Sequence, residues 1–221
     1  MSEDRQISAD AKGRGRSLYG DMGGKRLLDL VGALALLGVT APLILALWLA
    51  IRRNGGPGFY AATRIGRGGR PFHCWKLRTM HVDAQEVLAA HLATDARARA
   101  EWDATRKLRE DPRITPLGAV LRRYSLDELP QFWNVLRGDM SLVGPRPVPS
   151  VELADYGPAG RRAYEGVRPG ITGLWQVSGR NAVSYERRIE LDRLYCARIS
   201  LLGDLGILIR TIRVVIGANG L

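Results

Sequence analysis

The sequence is poor in the residues from which metal frameworks and disulfide scaffolds are built. Only two of its 221 residues are cysteines, Cys74 and Cys196, and three are histidines, His73, His81 and His91. With no C-x-x-C spacing and no histidines clustered beside the cysteines, the pattern excludes a structural zinc site and fits reduced thiols in a cytosolic compartment. A helix-turn-helix, zinc finger or aromatic RNA-binding signature is also missing, so no nucleic acid is expected as a partner. Acidic residues are scarce: 22 face 33 Lys and Arg, a net charge of +11. Such an excess attracts anions, and charge alone does not choose among nucleic acid, lipid headgroups and phosphorylated substrates. The 46% of hydrophobic residues supports a packed core and excludes disorder of the whole chain. No repeat or low-complexity tract is present.

Residues 1–24 lack the early apolar region and small-residue cleavage site of a signal peptide and read as a mobile polar tail. Charge is absent between Leu30 and Ile51, LVGALALLGVTAPLILALWLAI. An uncharged run of that length reads as a membrane helix, here assigned to residues 25–53. Both flanks are basic, Lys25 and Arg26 before it and Arg52 and Arg53 after it. Matched flanks fit a segment that enters and leaves on the same, cytoplasmic side. Pro42 supplies the kink, since it removes a donor and collides with the Gly38 carbonyl, while the Thr40 hydroxyl can satisfy some of the freed backbone. A spanning helix that tolerates its proline is the alternative.

Residues 54–221 read as one α-rich α+β domain on the cytoplasmic face. FYAATRI and PFHCWKLRTM flank the turn GRGGR and predict a small β-hairpin. That turn lacks the ending of a phosphate loop. Residues 84–110 predict a solvated helix or helix pair, LGAVLRRY and YSLDELPQFWNVL two further helices, and RGDMSLVGPRP a loop. VELADYGPAGRRAYEGV and SYERRIELDRLYCARI read as helices around extended RPGITGLWQVSGRN. SLLGDLGILIRTIRVVI is an amphipathic helix suited either to the core or to a membrane surface.

Within YSLDELPQ, Asp127 and Glu128 stand side by side in a basic chain. Ser125 and Glu128 have the spacing of a capping box, which would make the acids ordinary helix-start residues. Pro130, just past the first turn, fits that poorly. Arg122 and Arg123 precede the pair and Arg146 follows in GPRP, and guanidinium groups bind phosphate in a bidentate manner. Carboxylates among arginines suit phosphoryl chemistry. Asp127, expected to stay ionised at a helix start, could act as a nucleophile or a magnesium ligand, with Glu128 handling protons or sharing the metal.

The motifs KRLLDL, KLRTM, DPRITPLG, LRRYSLDELPQFWNVLRGDMSLVGPRP and RPGITGLWQVSGRN, in this order, resemble the bacterial sugar transferases, or monotopic phosphoglycosyl transferases. The small size is most similar to minimal members such as the undecaprenyl-phosphate galactose phosphotransferases of exopolysaccharide synthesis. The resemblance implies transfer of a hexose 1-phosphate from a UDP-sugar to undecaprenyl phosphate at the bacterial inner membrane. UMP would be released and a covalent phosphosugar enzyme formed with Mg2+ bound. It makes Asp127 the nucleophile and a metal ligand, Glu128 its acid-base partner, and Arg122 and Arg146 phosphate contacts. It also implies a re-entrant helix. Lys76, Arg78, Gln176 and Arg180 would bind nucleotide sugar or lipid phosphate, or else serve as structural anchors. Trp133 and Trp175 read as packing residues. Two departures, Tyr124 and the FYAATR strand without glutamine, touch only substrate detail. Homo-oligomerisation is left open. Two competing readings share these residues: a membrane-bound nucleotide-sugar phosphohydrolase, and a non-enzymatic basic scaffold.

Overall fold

Apolar residues without a competing hydrogen-bonding side chain satisfy their backbone most simply as a helix, and the uncharged run does so. The computed structural model describes Tyr19 and residues 23–105, 107–179 and 183–217; the expected polar tail lies almost wholly outside these, as does Arg180. Helix α1 spans Gly24–Arg52, 29 residues, and passes through Pro42 without ending. At about 1.5 Å per residue it is long enough to cross a bilayer. The Thr40 hydroxyl donates to the Leu36 carbonyl at 2.7 Å. It therefore does not serve the Gly38 carbonyl, because a hydroxyl in a helix reaches back one full turn from its own position.

Both ends of α1 are fixed to the rest of the chain. Asp29 is 1% exposed and accepts from the Ser141 hydroxyl at 2.9 Å and the Leu142 N–H at 2.8 Å. Lys25 Nζ pairs with Asp204 at 2.6 Å, and Arg26 donates to the carbonyls of Val135 and Leu136. At the other end Ile51 is buried with Leu77 and Leu121. Between them Leu34, Val39 and Leu45 project outward.

Strands β1 (Phe59–Ile65) and β2 (Pro71–Leu77) form the expected antiparallel hairpin, with Arg64 opposite Phe72 and Tyr60 opposite Lys76. Helices α2 (Ala84–Thr94) and α3 (Ala96–Thr105) follow. They share a small cluster of Leu88, Leu92 and Ala98, with Trp102 against it, so the pair is more than a wet face. Helix α4 (Pro116–Arg123) is capped by Thr115, whose hydroxyl accepts from the Gly118 N–H at 2.9 Å. It packs so tightly that a Cβ at Gly118 would lie 2.0 Å from the Thr79 carbonyl. Helix α5 (Gln131–Arg137) is joined to β2 by Asn134. The Asn134 Oδ1 accepts from the Trp75 N–H and its Nδ2 donates to the His73 carbonyl.

RGDMSLVGPRP is not only a loop. It contains β3 (Ser141–Val143), which pairs in parallel with β4 (Gly170–Thr172). Pairing across that distance leaves no local signature in a sequence. VELADYGPAGRRAYEGV makes two helices, α6 (Ser150–Ala154) and α7 (Gly157–Glu165). Gly157 at φ +63° and Pro158 at the next helix start separate them. Helices α8 (Tyr185–Ala197) and α9 (Leu201–Ile216) complete the fold. On α9, Ile207 enters the main core with Val135, Met140, Val143 and Tyr195, while Leu202, Ile209 and Ile212 stay exposed. The described residues are thus mostly helical with two small two-stranded sheets.

Candidate active site

The capping box spelled by Ser125 and Glu128 does not form. Ser125 adopts φ 55°, the left-handed region, and its side chain makes no cap hydrogen bond. It is the only non-glycine residue with positive φ among those described, a conformation that costs energy and persists where tertiary structure demands it. Leu126–Glu128 is a single 3-10 turn, and α5 begins only after Pro130. A proline just before a helix costs nothing, which removes the difficulty of a proline past a first turn.

This turn directs Asp127 inward, where it is 7% exposed. Lys76, on the strand held by Asn134, reaches both acids: its Nζ lies 2.7 Å from Glu128 Oε1 and 3.5 Å from Asp127 Oδ2. The helix start expected to keep Asp127 ionised does not form. One 3-10 turn aligns few peptide dipoles, and burial pushes the Asp127 carboxyl above the usual carboxylate range. Glu128 adds to that push while Lys76 and Arg122 oppose it. For Lys76, burial disfavours the ammonium, but Glu128 and Asp127 together hold its pKa above the ordinary value. The pair is therefore anchored by a cation that does not let go of its proton.

Arg122 approaches from α4. Its Nε donates to the Thr79 hydroxyl at 2.9 Å and its charge acts on Asp127. Its own pKa is lowered, chiefly by burial. Arg123 is exposed and lies over the Tyr124 ring instead. Arg146, Gln176, Lys76 and Glu128 line one cleft. It encloses about 20 Å³, room for a water but not for a nucleotide sugar, so a large substrate must lie at its mouth. Gln176 Oε1 is buried there without a hydrogen-bond partner. Trp175 is buried, while Trp133 is 52% exposed and is not the packing residue expected.

Arg78 is not brought to the acids. Its Nη2 donates to the carbonyls of Ile51 in the last turn of α1 and of Gly55 just beyond it, which makes it a clasp for the end of that helix. Arg64 and Gln131 also line the cleft and were missed. Arg64 was findable, because the hairpin register sets it opposite Phe72 and period-two alternation then places it on the face of Lys76.

A family model described as bacterial sugar transferase matches residues 21–218. The chain belongs to the bacterial sugar transferase family. It is 52% identical over 197 residues to the UDP-galactose-lipid carrier transferase of Erwinia amylovora, covering 89% of this chain and 41% of that protein. It is 48% identical over 202 residues to the undecaprenyl-phosphate galactose phosphotransferase of Salmonella typhimurium, with the same coverages. Over 197 residues it is 47% identical to the exopolysaccharide production protein ExoY of Rhizobium meliloti, covering 89% of this chain and 87% of that one. The chain thus spans about two fifths of the first two relatives, at 41% each.

Proposed function

We propose that this sugar transferase moves a hexose 1-phosphate, galactose or glucose, from a UDP-sugar to undecaprenyl phosphate, as an early membrane step of exopolysaccharide or related glycan synthesis. The observation that carries the reading is the buried Asp127 beside Glu128, both held by Lys76. In the first step an Asp127 carboxylate oxygen attacks the β-phosphorus, the bond to the bridging oxygen breaks, and UMP leaves. In the second, a phosphate oxygen of the lipid attacks the same phosphorus and restores the carboxylate. Glu128 carries protons between steps. Lys76, Arg122 and Arg146 draw the phosphates in and offset their charge.

Magnesium takes one or two carboxylates and completes its shell with phosphate oxygens and water. Adjacent Asp127 and Glu128 fit that habit, and no group of three or more acidic, histidine or cysteine ligands occurs among the described residues. The ion supplies neutralisation of the diphosphate charge.

The placement of the reaction at the cytoplasmic face of the inner membrane draws support from α1. Asp29 is buried against β3, and Ile51 against β2 and α4. A helix whose two ends pack on one folded body fits entry and exit on a single face, with Leu34, Val39 and Leu45 facing lipid. Exposed Leu202, Ile209 and Ile212 of α9 suit the same surface.

The deciding assay is UMP release by detergent-purified protein with magnesium, across a panel of UDP-sugars, with and without undecaprenyl phosphate, alongside Asp127→Asn. Lipid-dependent release lost in the variant, together with a phosphosugar trapped on Asp127, supports the transferase and names its sugar. Lipid product without that intermediate overturns the covalent step. Release without lipid indicates a phosphohydrolase, and full biological function in the variant indicates a scaffold.

A further inference from the structure

A second cavity, of about 430 Å³, opens between the hairpin turn and the segment after α5. Three guanidinium groups line it: Arg67 and Arg70 from the turn, and Arg168 from the chain leading into β4. The carboxylate in its lining, Asp139, is already engaged by Asn134 Nδ2 at 3.1 Å and Arg137 Nε at 3.4 Å. Arg168 spends its Nε on the Gly138 carbonyl at 2.9 Å. Its pKa is lowered by burial and then by Arg26 and Arg67, so like charges face one another here, with Asp29 opposing them. Between Arg67 and Arg70 the turn carries Gly68 and Gly69, both at φ +72°, and the Glu165 carboxylate beside Gly69 is already paired with Arg161 at 2.8 Å.

Phe72 of this cavity and Lys76 of the acid pair lie on one face of β2. Four residues of strand separate them by about 13 Å, so one phosphate group cannot touch both. Arg26, which donates to the last carbonyls of α5, stands one residue before the outward-facing Leu27 of α1. The cavity therefore adjoins the root of the apolar helix.

We propose that this cavity is an anion subsite, separate from the acid pair, that receives a phosphate group through Arg67, Arg70 and Arg168. That phosphate is either free in solution or part of the headgroup of an anionic lipid beside α1. Guanidinium forks suit the bidentate geometry of phosphate oxygens. The proposal does not depend on phosphoryl transfer, and its test is made on the Asp127→Asn protein so that failure of one leaves the other standing.

Two probes are used: inorganic phosphate binding by calorimetry in detergent, and preference for phosphatidylglycerol over phosphatidylcholine vesicles. Arg67→Gln/Arg70→Gln is compared with Arg97→Gln/Arg109→Gln, which removes the same charge elsewhere, with circular dichroism reporting on folding. Arg67 and Arg70 are exposed, so their loss should leave the fold intact. Phosphate affinity reduced about tenfold in the first variant and unchanged in the control supports a free phosphate ligand. Unchanged phosphate binding with a lost preference for anionic vesicles, beyond that of the control, supports the lipid headgroup. If both probes respond equally to the two variants, or to neither, the subsite is overturned.

Discussion

The guanidinium carbon of Arg146 lies 5.6 Å from the centre of the buried Trp175 ring. Arg188 reaches the same ring at 4.8 Å. A cation over an indole gains about 0.5–2 kcal/mol, enough to favour one orientation of an otherwise exposed arginine at the mouth of the cleft. Trp175→Ala should destabilise the protein by about 3–5 kcal/mol through the cavity it leaves. Trp175→Phe should keep most of the stability while weakening substrate binding, because the smaller ring attracts Arg146 less. Thermal unfolding of both variants, set beside KM and kcat of Trp175→Phe, checks this; unchanged KM would remove the link to Arg146.

Lys76 lowers the pKa of Asp127, and its removal should raise that pKa further. In Lys76→Met the acid limb of the pH–rate profile for UMP release should move to higher pH and the maximal rate should fall about 100-fold or more. Lys76→Arg, which keeps the charge, should leave the acid limb nearly in place. A limb that stays fixed in Lys76→Met would show that it does not report Asp127.

Asp192 is 2% exposed, and burial pushes its carboxyl up to about 7 against the opposing Tyr156 hydroxyl and Arg146. Tyr164, Tyr185 and Cys196 also face its charge, and Arg188 lies one helical turn away. The folded state holds this proton more tightly than the unfolded chain. Asp192 therefore contributes stability at low pH that is lost as pH rises from about 4 to about 7. Asp192→Asn should gain stability relative to the parent across that window, by up to a few kcal/mol at its upper end. A parallel pair of unfolding temperature curves against pH would contradict this.

If both ends of α1 remain with the folded body, a label on the chain's N-terminus and one at Asn54→Cys should be reached from the same side of sealed inner-membrane vesicles. Impermeant reagents read this directly. Labels on opposite sides would establish a spanning helix.

The apolar helix, the hairpin and most helices were legible because each is written in a local period: an uncharged run, an alternation about GRGGR, a 3.6-residue stripe. The acid pair was legible from residue type and neighbours. What could not be read was how the pair is held. Ser125 and Glu128 satisfy a local rule that the fold overrides, because Asp127 is drawn inward against Lys76 at the cost of a left-handed serine. Arg78 and Lys76 sit two residues apart in one motif and go to different tasks, one closing the end of α1 and the other the acid pair.

The sequence by itself determined the apolar helix, its basic flanks, the α-rich domain and the identity of the paired acids, since these follow from composition and spacing along the chain. The tertiary structure alone decided that β3 and β4 pair, that both ends of α1 return to one body, that Arg146 rests on Trp175, and that Asp127 is buried beside Lys76. Each of these is a contact between distant segments. Its energy depends on which groups lose their water together, and a linear pattern does not encode that.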